Sequence, residues 1–182
     1  MRIIMWVLVA LFMSACAHQQ NKKVVVSNVH EEEDLLKPFY GVDPAIKKYL
    51  KKSMAYVVFP RIEKGAVGVG GAFGKGKVYA KGQNGYGLVG TAELKQLSAG
   101  LQLGAQTYSE VIFFQTHKAF NKFKRGETTL SAQASVVALK EGKSANTVFK
   151  NGVAIIVLKE KGLMGELSVG GQKLSYTPLR AK

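Results

Sequence analysis

The chain has 182 residues, of which 47% are hydrophobic and 21% charged, a length and composition typical of one globular domain with a sizeable core. This balance excludes a disordered polymer. Lysine and arginine outnumber aspartate and glutamate by 26 to 12, so we expect polyanionic partners: nucleic acid, an acidic membrane surface or lipopolysaccharide phosphates.

The N-terminal stretch MRIIMWVLVALFMSAC has the pattern of a secretion signal, with Arg2 before an apolar run over residues 3–13. The run is too short for an ordinary membrane-spanning helix, which needs ~20 residues. Met13-Ser14-Ala15-Cys16 resembles the bacterial lipobox, so we predict cleavage after residue 15 and acylation of Cys16. The alternatives are an incidental cysteine in an ordinary signal peptide, or an uncleaved anchor.

Acylation at Cys16 would attach the protein stably to a bilayer. Ala17 occupies the position where an aspartate would favour retention in the inner membrane. We therefore expect a bacterial envelope protein on the outer membrane, facing the periplasm. Export also separates the chain from nucleic acid, so we predict no nucleic-acid partner despite the basic charge.

The sequence after the cysteine predicts a polar tether, in which one short piece could be ordered, followed by one domain. An acidic run over residues 31–34 and the breaker Pro38 favour a solvated segment. We divide the chain into a signal peptide at 1–15, a lipidated N-terminus and tether at 16–41, and a domain at 42–182.

An amphipathic helix is predicted from Asp43-Pro44 to about Met54, because these two residues form a helix start signal. Its apolar side holds Ile46, Tyr49, Leu50 and Met54. The opposite side holds four lysines: Lys47, Lys48, Lys51 and Lys52. The helix could lie on an anionic membrane, or its apolar side could pack on the domain's own sheet with the lysines merely solvated.

The next predicted strand, AYVVFP, is expected to end at Pro60. It precedes GAVGVGGAFGKGK, in which Val67, Val69 and Phe73 alternate with alanine or glycine at the even positions 66–74. This period of two predicts a strand with one packed face and one almost bare face. Glycine within a strand often marks the close approach of another backbone.

Two nucleotide-binding motifs are matched only in part. Residues 71–77 have P-loop spacing, but Val78 stands where serine or threonine must bind magnesium. Residues 85–90 spell G-x-G-x-x-G without the surrounding βαβ pattern. We predict strands and turns at both places, with no nucleotide and no cofactor.

The remaining segments favour more strands and a second helix. SAGLQLGAQ and EVIFF are predicted strands, THKAFNKFKRG is a basic helix ending at Gly126, and LSAQASVVAL and GVAIIVL are further strands. A hairpin is predicted around Gly170-Gly171. The fold class is α+β: a curved, largely antiparallel, glycine-rich or barrel-like sheet with two or more amphipathic helices.

Catalytic residues are sparse. Ser109, Glu110 and His117 could be imagined as a triad, but no nucleophile elbow presents the serine, and no two histidines have metal-ligand spacing. We interpret these three as ordinary surface or capping residues and predict that the protein is not an enzyme and holds no metal.

Three segments together resemble the SYLF (Ysc84-like) lipid-binding family: AYVVFPRIEKGAVGVGGAFGKGKVYAKG, GLQLGAQTYSEVIFFQT and FKNGVAIIVLKEKGLMGELSVGGQKLSY. The resemblance covers about Met54 to Tyr176 and implies a membrane-lipid binding module. Eukaryotic relatives bind phosphoinositides, partly through an N-terminal amphipathic segment that the four helix lysines would match loosely. Some yeast relatives bind actin, but no SH3 or FYVE domain is evident here, so we expect no cytoskeletal role.

The predicted function is that of a membrane-anchored lipoprotein whose domain binds anionic lipid head groups without catalysis. The predicted lipid-binding residues are basic: Lys47, Lys48, Lys51, Lys52, Arg61, Lys64, Lys75 and Lys77. The alternative is an envelope structural or interaction module without lipid affinity, in which the bare sheet face binds another copy or an envelope protein.

Overall fold

A computed structural model describes residues 34–130, 135–138, 149–159 and 171–179. Cys16, the signal peptide and most of the hairpin predicted around Gly170-Gly171 lie outside these residues. None of the described helices is long and apolar enough to cross a membrane. In chain order the elements are α1 (34–42), α2 (Ile46–Lys52), β1 (Ala55–Gly82), β2 (Gly85–Phe114), α3 (His117–Lys124), β3 (Thr129–Leu130), β4 (Ser135–Ala138), β5 (Val153–Lys159) and β6 (Gln172–Pro178).

The fold is dominated by the long antiparallel hairpin of β1 and β2. Their register runs from Ala55 opposite Phe114 to Gly82 opposite Gly85, where a turn joins the strands. The prediction that the first strand ends at Pro60 is wrong, because β1 continues through this residue to Gly82. The register shifts between Phe59 and Ile62, and such an irregularity is where a sheet tolerates a residue without an N–H.

The second edge of β2 is shared by two shorter strands. β6 pairs with residues 90–96 and β5 pairs with residues 108–114, both antiparallel. β3 extends the sheet beyond β6, and β4 extends it beyond β5 as a parallel neighbour. The predicted α+β class with a curved, largely antiparallel sheet is confirmed, and the described strands form a sheet that is not closed into a barrel.

The hairpin curls until the two ends of β1 meet. The amide of Lys81 donates to the carbonyl oxygen of Met54 at 2.7 Å. Gly74 and Gly76 lie inside this curl: a Cβ on Gly76 would stand 2.7 Å from the carbonyl oxygen of Val58, and one on Gly74 would stand 2.7 Å from Ile62. Glycine is therefore required where one part of β1 crosses close to another.

This curl reverses the predicted assignment of faces in the glycine segment. Gly74 and Gly76 are buried, whereas Phe73, on the face predicted to pack, is 43% exposed. The bare face is covered at Gly74 and Gly76 by the protein's own chain, because the missing side chains let residues 58–62 approach, both with backbone and with the side chains of Phe59 and Ile62.

Two apolar cores lie on opposite faces of the sheet. The inner face, which carries Val57 and Phe59, is covered by Phe120 and Phe123 of α3. The outer face, which carries Tyr56 and Val58, is covered at one end by α1 and α2. The residues of α1 and α2 that are buried there are aliphatic or aromatic: Leu36, Phe39, Ile46 and Tyr49.

The helices begin and end for identifiable local reasons. Asp43 Oδ1 accepts a hydrogen bond from the amide of Ala45 at 2.8 Å and so fixes the turn before α2. α2 ends at Lys52, two residues earlier than predicted. Thr116 caps α3 by accepting from the amide of Ala119 at 3.2 Å, and Gly126, with φ of 70°, follows its last turn as predicted.

Candidate functional site

The four lysines of α2 all face solvent. Ile46 and Tyr49 are fully buried against the sheet, and their burial fixes the rotation of the helix. The packing alternative for the apolar side is therefore confirmed, and Lys47, Lys48, Lys51 and Lys52 occupy the opposite, exposed side. Lys47 Nζ lies 5.4 Å from the centre of the Tyr40 ring. Within the described ranges, none of the four forms an ion pair with an acidic side chain.

The basic residues predicted on β1 fall in different environments. Arg61 is exposed and pairs with Glu63, with Nε 3.0 Å from Oε1. Lys75 is exposed and Lys77 is half-buried. Lys64 is only 6% exposed, because its even position in β1 turns it to the same face as Ile62. Its side chain is not presented to a membrane, and we leave it out of the candidate surface.

A groove of about 400 Å³ lies between α1 and the exposed part of the sheet. It is lined by Leu35 of α1, Pro60, Lys75 and Lys77. Glu93 also lines it, so the groove is cationic but not exclusively so.

The uncovered part of the outer face carries residues that the sequence did not single out. Phe73 and Leu97 are 43% and 84% exposed, and Lys95 and Lys173 are exposed in neighbouring strands. Lys95 stands opposite Phe73 on one side and opposite Lys173 on the other. The sequence did contain a signal for this face. Alternate residues of a strand share one face, so Phe73 lies on the same face as Lys75 and Lys77, and lysines on a strand face indicate solvent.

A buried polar cluster lies on the inner face, where Glu110 is fully buried. Its Oε2 accepts a hydrogen bond from Nε2 of Gln172 at 3.1 Å, and the same nitrogen lies 3.5 Å from the hydroxyl of Tyr108. Burial raises the pKa of Glu110 to about 7, and the hydrogen bond from Gln172 opposes part of this rise. Burial and the charge of Glu110 also raise the pKa of Tyr108.

The interpretation of Glu110 as a surface or capping residue is thus wrong, but the structure does not bring the imagined triad together. Ser109 follows the opposite face of the strand and donates to the carbonyl oxygen of Pro60 at 2.7 Å. His117 is exposed at the start of α3. In the part of the chain that is described, no group of three His, Cys, Asp or Glu side chains could hold a metal ion.

Comparison with known proteins identifies a family that this chain resembles. Residues 95–177 match the family model Ysc84, described as "Las17-binding protein actin regulator". The resemblance to the SYLF (Ysc84-like) family is thereby confirmed over those residues, from within β2 to near the end of β6.

Part of the chain is also similar to a bacterial protein. Over 82 residues the chain is 30% identical to Beta cell expansion factor A of Aeromonas veronii. The aligned region covers 44% of this chain and 31% of that protein, so the chain matches about a third of the relative's length.

Proposed function

We propose that this protein is a lipoprotein held in a bacterial outer membrane by an acylated Cys16, and that its domain binds anionic lipid head groups without catalysing a reaction. The observation that carries the proposal is the exposed lysine side of α2, which the burial of Ile46 and Tyr49 holds away from the sheet. Lys75 and Lys77 add positive charge in the groove, and the exposed Arg61, which pairs with Glu63, follows the groove residue Pro60. The match to a family of binding domains supports a non-catalytic role.

The expected contribution of the helix lysines is large enough to measure. Each lysine near an anionic surface contributes about 1 kcal/mol. Four lysines therefore contribute about 4 kcal/mol together, which corresponds to roughly a thousandfold in affinity at low salt. Because the side chains are exposed, this contribution should fall as salt screens it.

A vesicle-binding experiment tests the head-group proposal. The chain without its signal peptide and with Cys16→Ser is sedimented with vesicles of phosphatidylglycerol or of phosphatidylcholine alone. We expect binding to the anionic vesicles only, and strong weakening when the four lysines of α2 are changed to glutamine. The matched control changes the three exposed lysines of α3 to glutamine: Lys118, Lys122 and Lys124. Equal binding to both lipids, or equal loss in both variants, would contradict the proposal.

Membrane attachment is tested separately in cells. The full chain should incorporate a labelled fatty acid and sediment with outer-membrane fragments on a density gradient. Cys16→Ser should lose the label and be released from the fragments by a high-salt wash, because salt screens the lysine contacts and does not release acyl chains. A Cys16→Ser variant that is labelled, or that stays on the membrane through the high-salt wash, would show that the anchor lies elsewhere.

A second candidate function is an envelope interaction module, which the family description favours because it names a protein partner. The bare sheet face first considered for that role is covered by residues 58–62, so such a partner would need another surface. Light scattering and crosslinking distinguish the two functions. A stable oligomer or heteromeric complex without vesicle affinity would favour the interaction module.

A further inference from the structure

The outer face of the sheet bears two large apolar side chains that solvent reaches directly. We call this the outer sheet patch and define it by Phe73, Lys75, Leu97, Lys95 and Lys173. Leu97 is 84% exposed and Phe73 is 43% exposed. In the register, Phe73 is opposite Lys95 and Gly71 is opposite Leu97. The two apolar side chains are thus diagonal neighbours on one face, about 7–8 Å apart at Cα.

Three lysines lie beside this apolar pair on the same face of the sheet. Lys95 lies between Phe73 and Lys173 in one row across three strands, and Lys75 is the next residue along β1 on the same face. Glu93 neutralises part of this charge, with its Oε2 3.3 Å from Nζ of Lys95. The patch therefore keeps an excess of positive charge around an exposed apolar centre.

The direct pairing of Lys95 with Lys173 is a notable feature of the sheet. Like charges directly opposite each other on neighbouring strands are destabilising. Both side chains are exposed, so an anion placed over them would relieve the repulsion. An anionic group above the lysines and an apolar medium above Phe73 and Leu97 are both met at the surface of an acidic bilayer.

We infer that the outer sheet patch is the part of the domain that enters the bilayer: Phe73 and Leu97 reach the boundary between head groups and acyl chains, and Lys75, Lys95 and Lys173 bind lipid phosphates around them. The inference rests on the proposed lipid-binding function and adds an apolar insertion step that the basic helix does not supply. The occupant is an anionic lipid surface, since the charge of the patch matches it.

Substitution of the apolar pair tests the insertion. In the unlipidated chain carrying Cys16→Ser, Phe73→Ser with Leu97→Ser should weaken affinity for phosphatidylglycerol vesicles on the order of tenfold, because less apolar surface leaves water. Both positions are exposed, so the fold should persist, as circular dichroism would check. The matched control is Leu179→Ser: Leu179 is 50% exposed and follows β6, away from the lysine row, and its loss should leave affinity unchanged.

A probe measures insertion directly. With Cys16→Ser, the variant Leu97→Cys has a single thiol for an environment-sensitive fluorophore, and Leu179→Cys is its control. We expect a blue shift and quenching by brominated lipid at position 97 with phosphatidylglycerol vesicles, and neither at position 179.

The outcomes separate this inference from the proposed function. If the parent chain binds anionic vesicles while the double serine variant binds equally well and the probe at position 97 stays in water, the insertion is refuted and head-group binding stands. If the parent chain binds no vesicles, both are refuted. If the parent chain is an oligomer, the double serine variant is a monomer and their vesicle affinities are equal, the patch is a protein contact and the inference is overturned.

Discussion

Replacement of Glu110 by glutamine should change how the stability of the domain depends on pH. Glu110 is fully buried, and burial raises its pKa from the ordinary 4.5 to about 7. Glutamine has nearly the same shape and cannot ionise. The substitution therefore removes a titration while preserving the volume of the side chain and its contact with Gln172.

The local hydrogen bonds support a protonated Glu110 in the folded state. Oε2 accepts from Nε2 of Gln172, while Oε1 of Glu110 and Oε1 of Gln172 are both buried acceptors without a partner in the described residues. A proton on the carboxyl group supplies a donor where only acceptors remain. The amide of a glutamine at position 110 would supply one as well.

The magnitude follows from linkage. Between pH 4.5 and about 7 the folded state holds a proton that the unfolded state has released, so the free energy of unfolding falls as pH rises through this window. At 1.36 kcal/mol per pKa unit, the total loss is about 3 kcal/mol, and it is complete above pH 7. Glu110→Gln should lack this component and should be more stable than the parent chain at pH 8 by up to that amount.

Urea unfolding at several pH values between 4 and 8.5 measures the effect on the unlipidated chain. The matched control is Glu63→Gln, because the side chain of Glu63 is 70% exposed on the same hairpin. We expect the control to follow the parent profile and Glu110→Gln to flatten it. Parallel profiles for the parent and Glu110→Gln would refute the reasoning, because they would show that Glu110 has an ordinary pKa in the folded state.

Two further substitutions test the hairpin and its contact with α2. Gly76→Ala should lower the free energy of unfolding by roughly 1–3 kcal/mol, because its Cβ would stand 2.7 Å from the carbonyl oxygen of Val58. The control is Gly87→Ala, which should cost little because no atom lies within 4 Å of its Cβ. Similar urea midpoints for the two variants would contradict the crossing of β1. Tyr86→Phe removes the hydroxyl that lies 2.5 Å from the carbonyl oxygen of Ser53 and 2.8 Å from that of Leu50, and it should cost about 1 kcal/mol, with faster hydrogen exchange in α2. Unchanged exchange would show that this hydroxyl does not hold the helix.

The elements of the fold were more predictable than their faces. Alternation over residues 65–77 correctly predicted a strand in place of a phosphate loop, and Gly126 correctly predicted the end of α3. The burial of the bare face could not be predicted by the usual rule, because that rule places large side chains inside. Here the space that side chains at Gly74 and Gly76 would occupy is filled by residues 58–62 from the other end of the same strand, including the side chains of Phe59 and Ile62.

The segment predicted as a tether contains a helix that its charged residues and proline made difficult to predict. Residues 34–42 are helical, although the acidic run and Pro38 favoured a solvated segment. Leu36 and Phe39 are fully buried, and their spacing of three was the signal for an amphipathic helix. The division of the chain at residue 42 therefore cuts through a helix that packs on the domain.

The part of the candidate site on α2 could be predicted from the sequence, and the part on the sheet could not. The α2 lysines could be placed by helical periodicity alone. The outer sheet patch depends on pairing between Lys95 and Lys173, which are far apart in sequence and meet only through β6. Likewise, alternation along β2 places Glu110 on the same face as Ile112 and Phe114. Only the curl of the sheet determines that this face is buried.

The long hairpin also decides which stretch of the chain can fold independently. Residue 95, where the family match begins, lies inside β2, and β1 is hydrogen-bonded to β2 along nearly its whole length. A fragment of residues 95–177 would leave that edge of β2 open and would uncover apolar side chains that Phe59 and Val57 now bury, so we expect it to aggregate. Recombinant fragments meant to retain the native structure should therefore begin before α1.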